Sequence, residues 1–569
     1  MNQVIAFANN DVVQIFWKYD APLPGCLGIA VQRREAEGGE WKALPTWIGF
    51  PGQSNPNWTR KDSTIWPVQA FAWRDLTASK GVAYLYRVSP VSGDPTSGAP
   101  LTLHSDLALT TSEPVTLTPE RGVFQSFFNR GILSTQWLAH ELPKKADGSP
   151  DAGALQDAIA RTGDPLRNAL AGDIIEGVSL LLRKAQSEGG SCYLALYELQ
   201  DQELIALLMA AKNPHLILSN TRPDDAENYP VRTSLHGKKD AEIIDRMVPS
   251  GHIGHNKFCV YVDAQETPQA VLLGSTNWTN TGLCVQSNNA LVVHDQTLAT
   301  AYFDYWGRLR DDTQQTASHQ GPALRASNAT PGASDVPVDA GRATVWFSPN
   351  TPHARARGAQ AKATEQLPPD LGRLFALMSA AKKAILFLEF QPGSPSVIEQ
   401  AARCLEANPA LYVRGAATDT KAPGQFATQL THRGGDGDDV VAATAITQAH
   451  ADWEKELLKS SDGAHAIIHD KIVVIDPLSD DCVVVTGSHN QGYQASYNND
   501  ENLLIVRGHR QLALAYAAHV LDVYGHYRFR YQQQRSGDQA FSALATNDTW
   551  QDKYFDAGNP ASKDAKVWF

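Results

Sequence analysis

The sequence predicts an α/β protein made of two similar αβα lobes, preceded by an all-β sandwich at the amino terminus. Three observations carry that expectation. The first hundred or so residues alternate in the manner of strands, with Gly, Pro and Asn clusters between them. From about Glu113, strands alternate with longer helical stretches, the pattern of a layered α/β domain. The order of those segments is the same on both sides of a small-residue stretch that begins at Ala317, and internal repetition of this kind governs the fold.

Taken in order, the amino-terminal strands are "VVQIFWKYD" from Val12, "LGIAVQRRE" from Leu27 and "AYLYRVSPV" from Ala83. In shape and cadence they resemble a fibronectin type III module. A structural or docking role, including a protein partner, is the expectation for residues 1–112. The first lobe, 113–316, carries a helix in "AGDIIEGVSLLLRKA", a strand in "CYLALYE", a helix in "DQELIALLMAAK" and a strand in "LILSN". In "ASHQGPALRASNATPGASDVPVDAGRA" small residues and proline displace apolar ones, so 317–342 reads as a linker. The second lobe, 343–569, repeats the order with "DLGRLFALMSAAKK", "AILFLEF", "SVIEQAARCLEAN" and "LYVRG".

Composition narrows the functional classes. A content of 43% apolar and 19% charged residues fits a folded soluble chain rather than a disordered one. The amino terminus lacks a basic stretch followed by an apolar one, and no apolar run approaches the roughly 18 residues of a membrane span. The cytoplasm is the expected location, with signal-independent export left open. Cys26, Cys192, Cys259, Cys284, Cys404 and Cys482 are scattered, which suits small buried residues and neither a zinc knuckle nor a disulfide framework. A net charge of −12 disfavours indiscriminate binding to nucleic acid or anionic lipid while permitting a local basic pocket.

The chemistry-bearing motif occurs twice. "GHIGHNKFCVYVD" holds His255 and Lys257, and "HAIIHDKIVVID" holds His469 and Lys471 at the same spacing. Residues two apart on a strand share a face, so each lobe offers an imidazole and an ammonium on one side. "GSTNWTNTGL" follows with Ser275 and Asn277, and "GSHNQGYQAS" with Ser488 and Asn490. Gly274 and Gly487 would let the backbone approach a ligand closely. Thirteen residues beyond Ser275 stands Asn288, and thirteen beyond Ser488 stands Glu501.

This doubled His-x-Lys, with a downstream Asp and Gly-Ser-x-Asn, resembles the phospholipase D superfamily and its HKD signature, from roughly Glu113 to the carboxyl end. Asp476 falls five residues after Lys471, the family spacing, whereas Asp263 falls six after Lys257 with Val262 in the expected slot. Both aspartates read as strand-end structural residues. The resemblance implies phosphodiester cleavage through a phosphohistidine, with His255 as nucleophile and His469 as general acid. Lys257 and Lys471 would neutralise the non-bridging oxygens, and Ser275, Asn277, Ser488 and Asn490 would donate hydrogen bonds to them. Asn288 and Glu501 would stand behind the histidines and fix their tautomers. No cofactor and no metal is expected.

Other features have plainer readings. His252 with His255, and His465 with His469, lie on extended segments without further ligands at metal spacing. His489 would line the pocket or face solvent. The aromatic residues of "FFNRG" and "VWFSPN" more simply pack the lobes, and Lys382 and Lys383 solvate a helix end. Three functions follow: a phospholipase D-type hydrolase or transferase acting on a phospholipid, an endonuclease acting on nucleic acid, or a non-catalytic scaffold. Two intact His-Lys pairs disfavour the scaffold. The acidic balance and the absence of a basic tract favour phospholipid. With both halves on one chain, a monomer suffices for the site.

Overall fold

The computed structural model describes the chain apart from residues 1, 54, 56–58, 131–150, 222–224, 316–318, 357–364, 419–439, 443–466, 537–542 and 560. The described residues divide into two compact units, one holding the chain up to Pro119 and from Leu514 onward, the other beginning at Glu120 and ending at Ala513.

The first unit is built on two antiparallel sheets. One contains Gln3–Ala8, Val13–Lys18 and Ala72–Asp75; the other is centred on Gly28–Glu35 and Ala83–Ser92. Their facing side chains form one core, including Val13, Ile15, Trp17, Ile29, Val31, Tyr86 and Val88, which is the arrangement that alternating strands produce when each sheet buries one side. The carboxyl-terminal residues join this unit rather than completing the second lobe as the sequence suggested. Trp550 enters the same core, and the Trp568 ring stacks on Phe16 at 4.6 Å. Arg74 donates to Asp522 at 2.6 Å.

The second unit contains two eight-stranded sheets with the same strand order. In the first the order is Glu120–Arg121, Phe124–Phe128, Asn289–Val293, Pro268–Gly274, Lys257–Val262, Ser191–Leu196, His215–Thr221, Glu242–Val248. In the second it is Ala333–Val338, Gly341–Ser348, Glu501–Arg507, Val483–Gly487, Ile472–Ile475, Ala384–Glu389, Tyr412–Ala417, Val440–Ala442. In both, only the last three strands run parallel to one another, each of the inner two following a helix: Ile174–Glu188 and Gln202–Ala210 in one lobe, Pro369–Ser379 and Val397–Ala407 in the other. The described strands of the two lobes bury both faces at their centres, which explains near-continuous apolar runs such as "AILFLE".

The expected linker is instead part of this unit. Pro322–Asn328 is a helix with proline at its first turn, and Ala333–Val338 is the edge strand of the second sheet. Small residues and proline were compatible with both, because proline suits a helix start and an edge strand alike. Gln320 and Arg325, from the same stretch, are buried and hydrogen-bonded to the residues around Asp500.

Candidate active site

His255 and His469 each lie just ahead of a central strand, Lys257–Val262 and Ile472–Ile475, and the fold brings them together. Their ring centroids are 6.3 Å apart with an interplanar angle of 75°. The approach is fixed by backbone bonds that cross between lobes. His255 N donates to Asp500 O at 2.9 Å, and His469 N donates to Ser287 O at 3.0 Å. Each acceptor immediately precedes the residue that holds the ring.

Those holding residues are also exchanged between lobes. His255 Nδ1 lies 2.9 Å from Glu501 Oε2 and 3.1 Å from Ser488 O, while His469 Nδ1 lies 2.9 Å from Asn288 Oδ1. All three partners are acceptors, so Nδ1 carries the proton and Nε2 the lone pair in each neutral ring. The orientation of Asn288 is itself determined. Its Nδ2 donates to Gly282 O at 2.9 Å, leaving Oδ1 for the imidazole. Asn129, in the "FFNRG" segment, accepts from Asn288 N at 2.9 Å and locks the loop.

The lysines stand beside the rings. Lys257 Nζ donates to His255 O at 2.7 Å and Lys471 Nζ to His469 O at 2.5 Å. An aromatic ring covers each: Tyr197 lies 5.4 Å from Lys257 Nζ and Phe390 4.9 Å from Lys471 Nζ. The same two rings contact the histidines, with centroids 5.3 Å apart for Tyr197 and His255 and 4.7 Å for Phe390 and His469. Sequence reasoning passed over this pair. Their common place, directly after a central strand in each half, was the signal available.

Burial sets the electrostatics. Desolvation first, and then the two lysines, hold both imidazoles well below their ordinary range. Burial likewise depresses Lys257, and takes Lys471 down to about 7 against the opposing pull of Glu501, Glu389 and Asp470. Glu501 is pushed up to about 7 by the same desolvation. Two buried amines and two imidazoles converge here, groups that gain from an arriving anion, while Glu198, Glu389, Asp470 and Glu501 stand around them.

Ser275 and Ser488, expected to donate to phosphate, have other partners here. Ser275 Oγ donates to Asn288 Oδ1 at 2.8 Å and accepts from Asn289 N at 3.0 Å; Ser488 Oγ accepts from Asn502 N at 3.0 Å and also bonds Glu501. Each serine therefore braces the residue that holds the opposite lobe's histidine. Asn277 Nδ2 donates to Glu198 at 2.7 Å, and the buried Oδ1 atoms of Asn277 and Asn490 have no hydrogen-bond partner among the described residues. Gly274 and Gly487 share φ +144°, and a Cβ at either would strike the carbonyl of Asn289 or Asn502. Both glycines thus admit the neighbouring strand's backbone.

Asp263 accepts from the amides of Gln265 and Thr267, and Asp476 from those of Lys382, Lys383 and Ala384, so both organise turns at strand ends. His252 Nδ1 contacts Gln320 Oε1 at 2.5 Å, His489 Nε2 contacts Asp370 at 3.1 Å in the interior, and His465 lies outside the described residues. The six cysteines are free and buried. Among the described residues no helix is long and apolar enough to cross a membrane.

Two α/β lobes of one strand order, each giving a histidine and a lysine to one shared centre, define the class. Residues 180–309 match the family described as cardiolipin synthase, PLD-like domain. That stretch, which holds the first His-x-Lys pair, is similar to a PLD-like domain.

Comparison with curated proteins gives no match. Among solved structures, phosphatidylserine synthase from Haemophilus influenzae Rd KW20 is 12% identical over 69% of this chain and 90% of that one, with a TM-score of 0.39. Nuc from Salmonella typhimurium, described as a phospholipase D family member, is 21% identical over 24% of this chain and 90% of that one, with a TM-score of 0.21. Polyphosphate kinase from Porphyromonas gingivalis is 15% identical over 58% of this chain, with a TM-score of 0.33, and the match spans 45% of the kinase.

Proposed function

We propose that this chain is a phosphodiesterase that works through a phosphohistidine, and that its diester is a phospholipid whose head group it releases or exchanges. The observation that carries the reaction is the 6.3 Å separation of two imidazoles drawn from separate His-x-Lys pairs. His255 Nε2 attacks phosphorus while the bond to the leaving oxygen breaks, and His469 gives that oxygen its proton. Water, or an alcohol in exchange, then attacks phosphorus, passes its proton to His469 and frees His255.

Proton positions support this order. Nδ1 of His255 donates to Glu501 and Ser488 O, which keeps Nε2 available as the nucleophile. Burial first, and then the neighbouring lysines, disfavour imidazolium, and an arriving diester brings a negative charge that opposes both effects on His469. Lys257 and Lys471 would compensate the non-bridging oxygens, so the proposal asks for no metal ion.

The preference for phospholipid over nucleic acid rests on charge. The chain carries −12, and at the lobe-one side of the site Glu198 stands beside Lys257 with Glu227 nearby. A strand of nucleic acid would press further phosphates toward these carboxylates. A diester with one phosphate avoids that repulsion. An intact pair of His-Lys motifs gives the scaffold reading no support.

The test is to incubate wild type and His255→Asn, with a chelator present, against a choline phospholipid and against single- and double-stranded DNA. Head-group release that disappears in the variant is expected. DNA cleavage that disappears in the variant would replace the lipid reading with the endonuclease one.

A further inference from the structure

One buried acid has no task in this scheme. Glu389 is 0% exposed, and neither carboxylate oxygen has a hydrogen-bond partner among the described residues. An orphaned buried carboxylate is costly and rarely retained without a use. It ends the strand Ala384–Glu389, whose register with the neighbouring strand pairs Leu388 with Ile472, so the next antiparallel pair is Glu389 with Lys471. Directly opposed residues share a face. In the other lobe the strand residue paired with Lys257 is Leu196, and the carboxylate beside that lysine comes from Glu198, two residues further on. The two lysines of the site therefore take their neighbouring carboxylates from different positions.

We propose that Glu389 is a positioning residue for Lys471, its carboxylate favouring the ammonium form of that lysine so that the site stands ready for a phosphate anion. The inference rests on the reading of the site as a phosphate-binding centre. Other charges also face the pair. Asp470 faces both members and takes a hydrogen bond from Ser287, and Glu501 faces Lys471. Lys257, His255 and His469 complete the cluster and oppose a second positive charge. Burial pushes the Glu389 carboxyl well above the ordinary carboxylate range and the Lys471 charge pulls it back, so the ionised form this role needs is the one Lys471 itself favours. With no hydrogen bond of its own among the described residues, Glu389 acts on Lys471 through space. Lys471 meanwhile points its Nζ to His469 O, toward the reacting centre.

The sign follows from charge. An anion beside an amine favours the ammonium form, so removing Glu389 makes Lys471 lose its proton at lower pH. The probe is inorganic phosphate, with affinity measured by calorimetry from pH 6 to pH 9 on wild type, Glu389→Gln and Glu389→Asp, and thermal unfolding recorded for each. For Glu389→Gln, the fall of affinity with rising pH is expected to move down by about one unit, roughly a tenfold loss at a pH on the slope. Affinity at pH 6 is expected to stay within about twofold of wild type. Thermal stability is expected to stay near wild type, because the Lys471 amine can give up its proton once the opposing charge is gone. Glu389→Asp is expected to follow the wild-type curve.

An unchanged pH curve in Glu389→Gln overturns the proposal while leaving the phosphate site standing. So does an equal loss of affinity at every pH accompanied by lower thermal stability, the signature of a merely structural role. A wild-type protein that binds no phosphate anywhere in this range overturns the phosphate-site reading and this inference with it.

Discussion

Glu501 of the second lobe holds Nδ1 of His255 in the first at 2.9 Å. The reciprocal bond joins Asn288 to His469. Each ring is thus oriented by a residue whose strand belongs to the other sheet. An oriented histidine requires both lobes to be folded and docked, which gives a physical reason for carrying both on one chain.

Glu501→Gln retains the shape and hydrogen-bonding capacity of the side chain but removes its charge. The imidazolium-like character that His255 gains as its Nε2 bonds phosphorus would lose its counter-ion. The expected outcome is a fall in kcat of about 10²-fold, the scale on which general-base support acts, with KM within about threefold. Steady-state kinetics on the diester that proves to be the substrate checks it. An unaltered kcat would mean the contact orients the ring without electrostatic consequence.

Asn288→Asp does the converse at the other histidine. A carboxylate 2.9 Å from Nδ1 would favour the protonated form of His469 and raise its pKa. A group that must donate a proton stays competent up to its pKa, so the basic limb of the rate profile is expected to move to higher pH. The measurement is kcat/KM against pH for both proteins, and a shift to lower pH would contradict the assignment of His469 as the acid.

The parts of this site legible in the sequence are those coded locally. His255 with Lys257, and His469 with Lys471, announce themselves because two residues on one strand share a face and the pattern occurs twice. Asn288 and Glu501 were found by spacing, yet spacing does not say which histidine each serves, since the exchange depends on how two sheets meet. Ser275 was assigned to phosphate by the family resemblance; in the structure its Oγ donates to Asn288, just ahead of the adjacent strand. Gln320 and Arg325 were hidden in a stretch read as linker by composition. Composition reports average polarity, whereas these two side chains matter through the carbonyls and carboxylates of distant segments.

Lys471 shows how such a site trades stability for function. Its folded pKa is lowered to about 7 by burial, from the ordinary 10.5. Above pH 10.5 the amine is neutral in both states and costs little through its charge. As pH falls toward 7 the unfolded chain takes up the proton and the folded one resists, so the penalty grows, then levels off below about 7. Lys471→Met is therefore expected to abolish activity and raise the unfolding temperature, by more at pH 6 than at pH 9. Thermal unfolding at the two pH values checks it, and a stabilisation that grows with pH would refute the linkage.

Arg246 tests the support behind the site. Its guanidinium is fully buried and meets Asp500 twice, Nε to Oδ2 at 2.5 Å and Nη2 to Oδ1 at 3.1 Å, and Asp312 at 3.0 Å through Nη1. Asp500 O in turn receives His255 N, so the ion pair fixes the backbone that carries Glu501 and bonds His255. Arg246→Met preserves much of the volume but leaves Asp500 and Asp312 buried without their cation. Breaking a buried pair in this way costs about 3–5 kcal/mol, so denaturant unfolding should show a loss of that order. Arg246→Met combined with Asp500→Asn and Asp312→Asn removes the stranded charges as well and should recover most of the loss. Recovery of stability without recovery of activity is expected in the triple variant, because the amide introduced at position 500 has no guanidinium to draw it toward position 246. Equal stability of the single and triple variants would show that the charges are hydrated in the folded protein and that the pair does not hold the site together.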